Sequence, residues 1–289
     1  MGMQIKLLCL GDLVGRPGRQ ILSEHLGKLV KEHAIDCVIL NAENAAGGSG
    51  LTQSIYEKLL KYGVHLITLG DHVYRKREIV ETLDNSDRIV RPANLSSQAA
   101  GREWAVYTTA TGVTVAVVVV LGRLYMPLQG DNPFLAVDRV LGKIPSDVTV
   151  RVVEMHGEAT SEKVAMGWYL NGRVSLVYGT HTHVATADER VLDKGTGYIT
   201  DLGMTGPHES VLGRSVERVL KSLVTQMPYA YSLATGDLRI NGVIVTVESS
   251  GEKAGQATAI ERLCITDESL SGGMYDNDDG RPDYSTSLS

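Results

Sequence analysis

The side chains best suited to act together in chemistry are Asp12, Glu43, Asn44, Asp71, His72, His156, His181 and His183. Each stands at or just beyond the end of a short apolar run: 5–10, 37–40, 65–69, 148–155 and 175–178. Taken singly, each has an ordinary explanation, such as a helix cap, a turn residue or a hydrogen-bonded structural histidine. The joint pattern points instead to a metal site. In an extended segment alternate side chains point the same way, so His181-Thr182-His183 is expected to place both imidazoles on one face. Mixed imidazole and carboxylate donors suit Zn, Mn or Fe better than Mg or Ca, which prefer oxygen alone. The inventory exceeds the needs of one tetrahedral ion, and a pair of ions sharing one bridging carboxylate uses it without surplus. Two divalent ions bring more positive charge than Asp12, Glu43 and Asp71 remove. The remainder would attract an anionic phosphate and lower the pKa of bound water toward ~7, supplying a hydroxide nucleophile.

The elements that must position these groups alternate between strand and helix. Runs 5–10, 37–40 and 65–69 read as strands, separated by helical patterns through Ile21, Leu22, Leu26 and Leu29 and through Ile55, Leu59 and Leu60. Residues 11–18 and 41–50 read as turns and a glycine-rich loop, and 76–83 as a further helix. Such alternation implies crossovers and a largely parallel sheet, whose ligands gather outside the carboxyl ends of the strands. After Arg91-Pro92 strands become more frequent: a hairpin of 103–109 with 113–121, strands 148–155, 175–178 and 198–200, and a terminal pair, 238–248 with 256–265. Helices are expected at 133–144, 161–170 and 215–224. The reading is an α/β chain with two packed sheets, one domain over residues 1–266, and an acidic tail over 267–289 with too little apolar content to order itself.

Composition narrows the class. A chain of 289 residues with 43% hydrophobic content can bury a substantial core, and a net charge of −6 gives no general nucleic-acid-binding signal. Cys9, Cys37 and Cys264 are too scattered for a disulfide framework, and the first two read as reduced core thiols. The longest apolar run, 113–121, is about half of the ~20 residues a bilayer span requires. The amino terminus lacks a signal-peptide cleavage region, and Lys6 stands where a myristoylation motif needs Ser or Thr. A cytoplasmic protein without a membrane partner is expected, and homo-oligomerisation is left open.

The ordered motifs resemble those of a known family, the YmdB-like branch of the calcineurin-like metallophosphoesterases. They are Gly11-Asp12-Leu13-Val14-Gly15, Asn41-Ala42-Glu43-Asn44 with Gly47-Gly48-Ser49-Gly50, Gly70-Asp71-His72, and Arg91-Pro92-Ala93-Asn94. The series continues with His156-Gly157-Glu158-Ala159-Thr160, Gly179-Thr180-His181-Thr182-His183 and Asp201-Leu202-Gly203-Met204-Thr205-Gly206-Pro207. The resemblance implies a four-layer αββα sandwich of two mixed sheets flanked by helices, with a dinuclear centre that commonly contains iron. It implies Glu43 as the bridging ligand, with Asp12, Asn44 and His183 completing one metal and Asp71, His156 and His181 the other. His72 would protonate the leaving oxygen, and the implied activity is phosphodiester hydrolysis, particularly of 2′,3′-cyclic nucleotides. Relative to the wider superfamily, Val14 stands in place of a histidine and Glu43 in place of the bridging aspartate, and both changes belong to this branch. Within the branch, Asp71 departs from the usual asparagine and adds a negative charge to the second metal.

Rival readings are a phosphomonoesterase acting on nucleotides or phosphoproteins, and a non-catalytic regulator that binds nucleotide or RNA through the metal site. His72 beside Asp71 favours an enzyme, since a binder has little use for a leaving-group acid. Arg16 and Arg19 could reach phosphate, Glu158, Ser161, Glu162 and Lys163 could orient His156, and 204–207 reads as a substrate-side loop. No residue is assigned to the substrate itself, and His25, His33, His65 and His208 are given no functional role.

Overall fold

The computed structural model describes residues 2–270. The first half runs β1 (Gln4–Leu10), β2 (Asp12–Leu13), α1 (Gly15–Glu32), β3 (Cys37–Asn41), α2 (Gln53–Tyr62), β4 (Leu66–Thr68), α3 (Ile79–Asn85) and β5 (Ile89–Val90). There follow β6 (Trp104–Thr108), β7 (Thr114–Leu121), α4 (Pro133–Leu141), β8 (Val150–His156), α5 (Thr160–Tyr169) and β9 (Leu176–Thr180). The chain closes with β10 (Arg190–Val191), β11 (Gly197–Ile199), β12 (Met204–Pro207), α6 (Val216–Thr225), β13 (Leu238–Glu248) and β14 (Ala257–Asp267).

The strands form two mixed sheets. One has the order β2-β12-β13-β1-β3-β4-β5, with β14 added to β13, and the other the order β10-β11-β9-β8-β7-β6. Strands β1, β3, β4 and β5 are parallel, as are β7, β8, β9 and β11. The short β2 and β12 also pair in parallel, and the remaining pairs are antiparallel, including the expected β6–β7 hairpin and the terminal β13–β14 pair.

The period of two along each strand explains the layering. In β1, Ile5, Leu7 and Cys9 enter a core shared with Val115, Val117 and Val119 of β7, so this core lies between the sheets. Leu8 and Leu10 face the other way, against Ile21, Leu22 and Leu26 of α1. In β7, Ala116, Val118 and Val120 pack on Ala136, Val137 and Val140 of α4. Both faces of the central strands are therefore buried, which is why they read as unbroken apolar runs. The result is the four-layer αββα sandwich. Cys9 and Cys37 lie in its core as reduced thiols. Among the described residues no helix is long and apolar enough to cross a membrane.

Several local expectations change. Residues 11–18 are not one long turn. Asp12-Leu13 pairs in parallel with Met204-Thr205, and α1 starts at Gly15 with Pro17 in its first turn, where a missing N–H costs nothing. Asp12 does not cap that helix, because Val14 is the cap residue. Residues 204–207, read as a loop, form buried strand β12 between β2 and β13. The third helix begins at Ile79 rather than at 76. Asp267, expected to open the tail, instead ends β14 and pairs with His25 Nε2 at 2.7 Å. Glu268–Leu270 follow as a single 3-10 turn, and the rest of that expected tail, 271–289, lies outside the described residues.

Candidate metal centre

The carboxyl ends of the central strands converge because their registers align: Asn41 lies opposite Thr68, Leu121 opposite His156, and His156 opposite Thr180. Asp12, Glu43, Asn44, Asp71 and His156 are all buried there. Glu43 is held by its own backbone N–H, which donates to Asn41 Oδ1 at 3.0 Å, while His72 N donates to Glu43 Oε2 at 3.0 Å. Gly70 is the cradle of the site: a Cβ there would run into the imidazole of His156 and the carboxylate of Glu43.

Glu43, Asp71, His156 and His181 each offer one donor atom within 4.8 Å of the others. His156 Nε2 lies 3.1 Å from Asp71 Oδ1 and 3.3 Å from Glu43 Oε1. His181 Nδ1 lies 3.4 Å from the same Asp71 oxygen and 3.1 Å from His156 Nε2. Asn44 Nδ2 is 3.1 Å from the same Glu43 Oε1 and 3.2 Å from His183 Nε2. Asp12 Oδ2 accepts from His181 N at 3.1 Å, whereas Asp12 Oδ1 is buried with no hydrogen-bond partner. A buried carboxylate oxygen without a partner is costly unless a cation meets it.

His181 and His183 are not part of an extended segment, as the sequence suggested. They follow β9 with φ of 97° and 64°, a region that side chains rarely adopt. Thr182 between them is fixed from outside: its N–H and Oγ1 both donate to Asp201 Oδ2, at 3.3 and 2.8 Å. Asp201 in turn accepts from buried Lys163 Nζ at 2.7 Å. The turn sets His181 Nδ1 beside His156 and Asp71, and His183 Nε2 beside Asn44.

The electrostatics are those of anions crowded out of water. Burial, partly offset by His156 and reinforced by Glu43 and Asp201, pushes the Asp12 carboxyl up to about 8. Burial also raises Glu43 and Asp71, but His156, with help from His72 and for Asp71 from His181, outweighs it. Glu43 is left at about 2, and Asp71 well below the usual carboxylate range. His156 is pulled down by burial yet raised overall by Glu43, Asp71 and Glu154. Burial lowers His72 and His183. A cluster that must hold protons to offset its own charge is suited to divalent ions.

The sequence profile of the family described as "YmdB-like protein" matches residues 8–263. The chain belongs to the YmdB-like family. It is 40% identical over 266 residues to the Bacillus subtilis (strain 168) protein named 2′,3′-cyclic-nucleotide 2′-phosphodiesterase, covering 92% of this chain and 99% of that one. Among solved structures, a hypothetical protein from Thermus thermophilus superposes with a TM-score of 0.83 at 37% identity, covering 91% of this chain and 99% of that chain. A Mycoplasma pneumoniae protein described as a novel phosphatase gives 0.85 at 32% identity, covering 93% and 95%.

In this YmdB-like chain other residues meet the site differently from the sequence reading. Lys163 does not orient His156; it forms the buried pair with Asp201. Glu162 accepts from Arg123 N and Leu124 N and so fixes the loop after β7. Glu158 approaches His181 Nε2, at 3.4 Å, rather than His156. Arg19 donates to Ala45 O, and Arg16 and Arg19 line a separate cavity with Thr52, Lys58 and Lys76. Orientation of His156 falls instead to Thr180 Oγ1, 2.9 Å from its Nδ1 and itself a donor to Glu154 Oε1 at 2.6 Å. Glu154 also accepts from Asn41 Nδ2 and Tyr178 Oη, which ties the two sheets together beneath the site. A glutamate set between Val152, Val153 and Met155 in a buried strand was the available signal for this network. Arg214, which donates to Gly47 O at 3.2 Å and Gly48 O at 2.6 Å, walls the site cavity of about 270 Å³ with His72, His183 and Leu212. Nothing local in the sequence marked it.

Proposed function

We propose that this protein is a cytoplasmic, metal-dependent phosphodiesterase that opens 2′,3′-cyclic nucleotides at a dinuclear centre, with iron as the resident metal and Mn or Zn as competent substitutes. The observation that carries the reading is the convergence of Glu43, Asp71, His156 and His181 within 4.8 Å, beside the partnerless Asp12 oxygen. The name of the Bacillus subtilis relative supports the substrate class.

In this reading Glu43 would be shared between two ions, with Asp12, Asn44 and His183 holding one and Asp71, His156 and His181 the other. The donor set fits, since it mixes carboxylate and imidazole around a glycine-lined space. When bound, the ions supply Lewis-acid stabilisation of the phosphoryl oxygens and make water acidic enough to attack at neutral pH.

The chain's own residues do the remaining work. Leu212 O accepts from His183 Nδ1 at 3.2 Å, so Nε2 is the nitrogen left to face the centre. Thr180 does the same for His156 by engaging Nδ1. Asn44 Oδ1 lies 2.7 Å from His72 Nδ1, and an amide has one oxygen to give. As a ligand, Asn44 must turn by half a rotation, after which its Nδ2 donates to His72 Nδ1 and the proton of His72 resides on Nε2. That Nε2, 3.8 Å from Asp71 Oδ2, is the group that donates to the departing ribose oxygen.

The test is elemental analysis of protein purified without chelator, combined with a substrate panel. Two transition-metal ions per chain and a preference for 2′,3′-cyclic nucleotides over phosphomonoesters are expected. One ion per chain, or faster turnover of nucleoside monophosphates, would remove the dinuclear diesterase reading.

A further inference from the structure

A second cavity of about 380 Å³ adjoins the metal cavity, and the two share His183 and Leu212 as walls. Its volume lies within the ~300–1,000 Å³ typical of small-molecule sites. Apolar side chains dominate the near wall. Val184 and Leu212 are 60% and 49% exposed and line this cavity with His183, so hydrophobic surface is left bare beside that imidazole. Met204 and Leu263 line the cavity behind them. At its edge Asn241 Nδ2 donates to Met204 O at 3.0 Å and lies 2.9 Å from His208 Nε2, a polar pair anchored to the strands.

Leu212 joins the two cavities physically. Its backbone stands at φ 52°, a conformation that a branched side chain adopts only when the surroundings impose it. Its carbonyl fixes His183 Nδ1, while its side chain faces the space where the cavities meet. A phosphoester that occupied the metal cavity alone would meet Leu212 from one side and leave Val184, which lines only the second cavity, in water.

We propose that the second cavity receives the nucleobase of a nucleotide whose phosphate lies in the metal cavity. This rests on the phosphodiesterase reading for the phosphate, but not for the base. A planar heteroaromatic has two apolar faces and a hydrogen-bonding edge. The aliphatic walls of Val184, Leu212, Met204 and Leu263 match the faces; Asn241 Nδ2 is taken by Met204 O and His208 Nε2, which leaves Asn241 Oδ1 to accept from an amino group on the edge. The cavity thereby sets the substrate class as nucleoside-bearing diesters rather than small alkyl phosphoesters.

Cys264 lines this cavity and is exposed, whereas Cys9 and Cys37 are buried, so a maleimide modifies Cys264 selectively in the folded holoenzyme. Saturating adenosine 3′-monophosphate is expected to slow that modification about fivefold or more, and methyl riboside 3-phosphate, which lacks the base, should not slow it. Cys264→Trp, which fills the cavity, should raise KM for 2′,3′-cyclic AMP about tenfold or more, while turnover of methyl riboside 2,3-cyclic phosphate is unchanged. Equal protection by both phosphates, protection by neither, or equal losses on both cyclic substrates would overturn the base site. The labelling uses unmutated protein and decides the question even if Cys264→Trp fails to fold. If the wild type hydrolyses neither cyclic substrate but the nucleotide alone still protects Cys264, the diesterase reading fails and the base site stands.

Discussion

Replacing Lys163 with methionine keeps the length and apolar stem of the side chain but removes its charge from Asp201. Both partners are 1% exposed and 2.7 Å apart, so neither end can recover its lost interaction from water. Removing one member of such a pair costs ~3–5 kcal/mol. Asp201 keeps donors from Thr182 N, Thr182 Oγ1 and Gly203 N, at 3.3, 2.8 and 2.8 Å, which places the cost at the lower end. At ~2–4 °C per kcal/mol for a domain of this size, the metal-free protein should melt roughly 6–12 °C lower. A second effect should appear in the site. Asp201 holds Thr182, and Thr182 holds the left-handed turn that aims His181 and His183, so metal affinity should fall ~10–100-fold. Thermal melts of metal-free protein and chelator-competition titrations of loaded protein read the two effects separately. The double variant Lys163→Met with Asp201→Asn removes the stranded charge and should recover most of the melting temperature but not all of the metal affinity. A single variant melting within about 2 °C of the wild type, at the bottom of that scale, or a double variant no better than the single, would refute the reasoning.

Other outcomes follow from the same geometry. His72→Gln should retain both metals and lose ~10²–10⁴-fold on a 2′,3′-cyclic nucleotide, but far less on a nitrophenyl phosphodiester, whose leaving group needs little protonation; equal losses would assign His72 to positioning. On the proposed two-metal reading, Asp71→Asn keeps an oxygen for the second metal and removes one negative charge, so the protein should stay loaded and active, with the acidic limb of its pH–rate profile at lower pH. An upward move of that limb, or complete metal loss, would contradict Asp71 as a ligand. Loading with metal should release protons near neutral pH, because Asp12, raised to about 8, and His156, raised above its ordinary value, bind protons that the ions displace. Glu43 and Asp71 are already ionised and contribute none. The release should diminish as the pH rises through about 8, and calorimetry in buffers of differing ionisation enthalpy measures it; constant or increasing release would show that Asp12 is not displaced.

The strand ends were legible because burial on both faces makes a parallel strand an unbroken apolar run, and a run that stops at a polar residue advertises its edge. That logic located Asp12, Glu43, Asp71, His156 and His181 from their neighbours alone. It failed where structure is decided by distant partners. Asp12-Leu13 is a strand because Met204-Thr205 lies beside it, and no pattern of two residues could announce that. The turn at His181 and His183 depends on Asp201 and Lys163, so its left-handed geometry was invisible in the local His-x-His spacing, which on its own favoured an extended segment. The same division separates donors from the groups that aim them. Donor identity is a property of one residue and survives in a sequence, whereas Thr180, Leu212 and Arg214 act through contacts made only after the sheets have packed. Those aiming contacts are therefore where changes can alter metal affinity while leaving every donor in place, and Lys163→Met is the variant among those above that tests this directly.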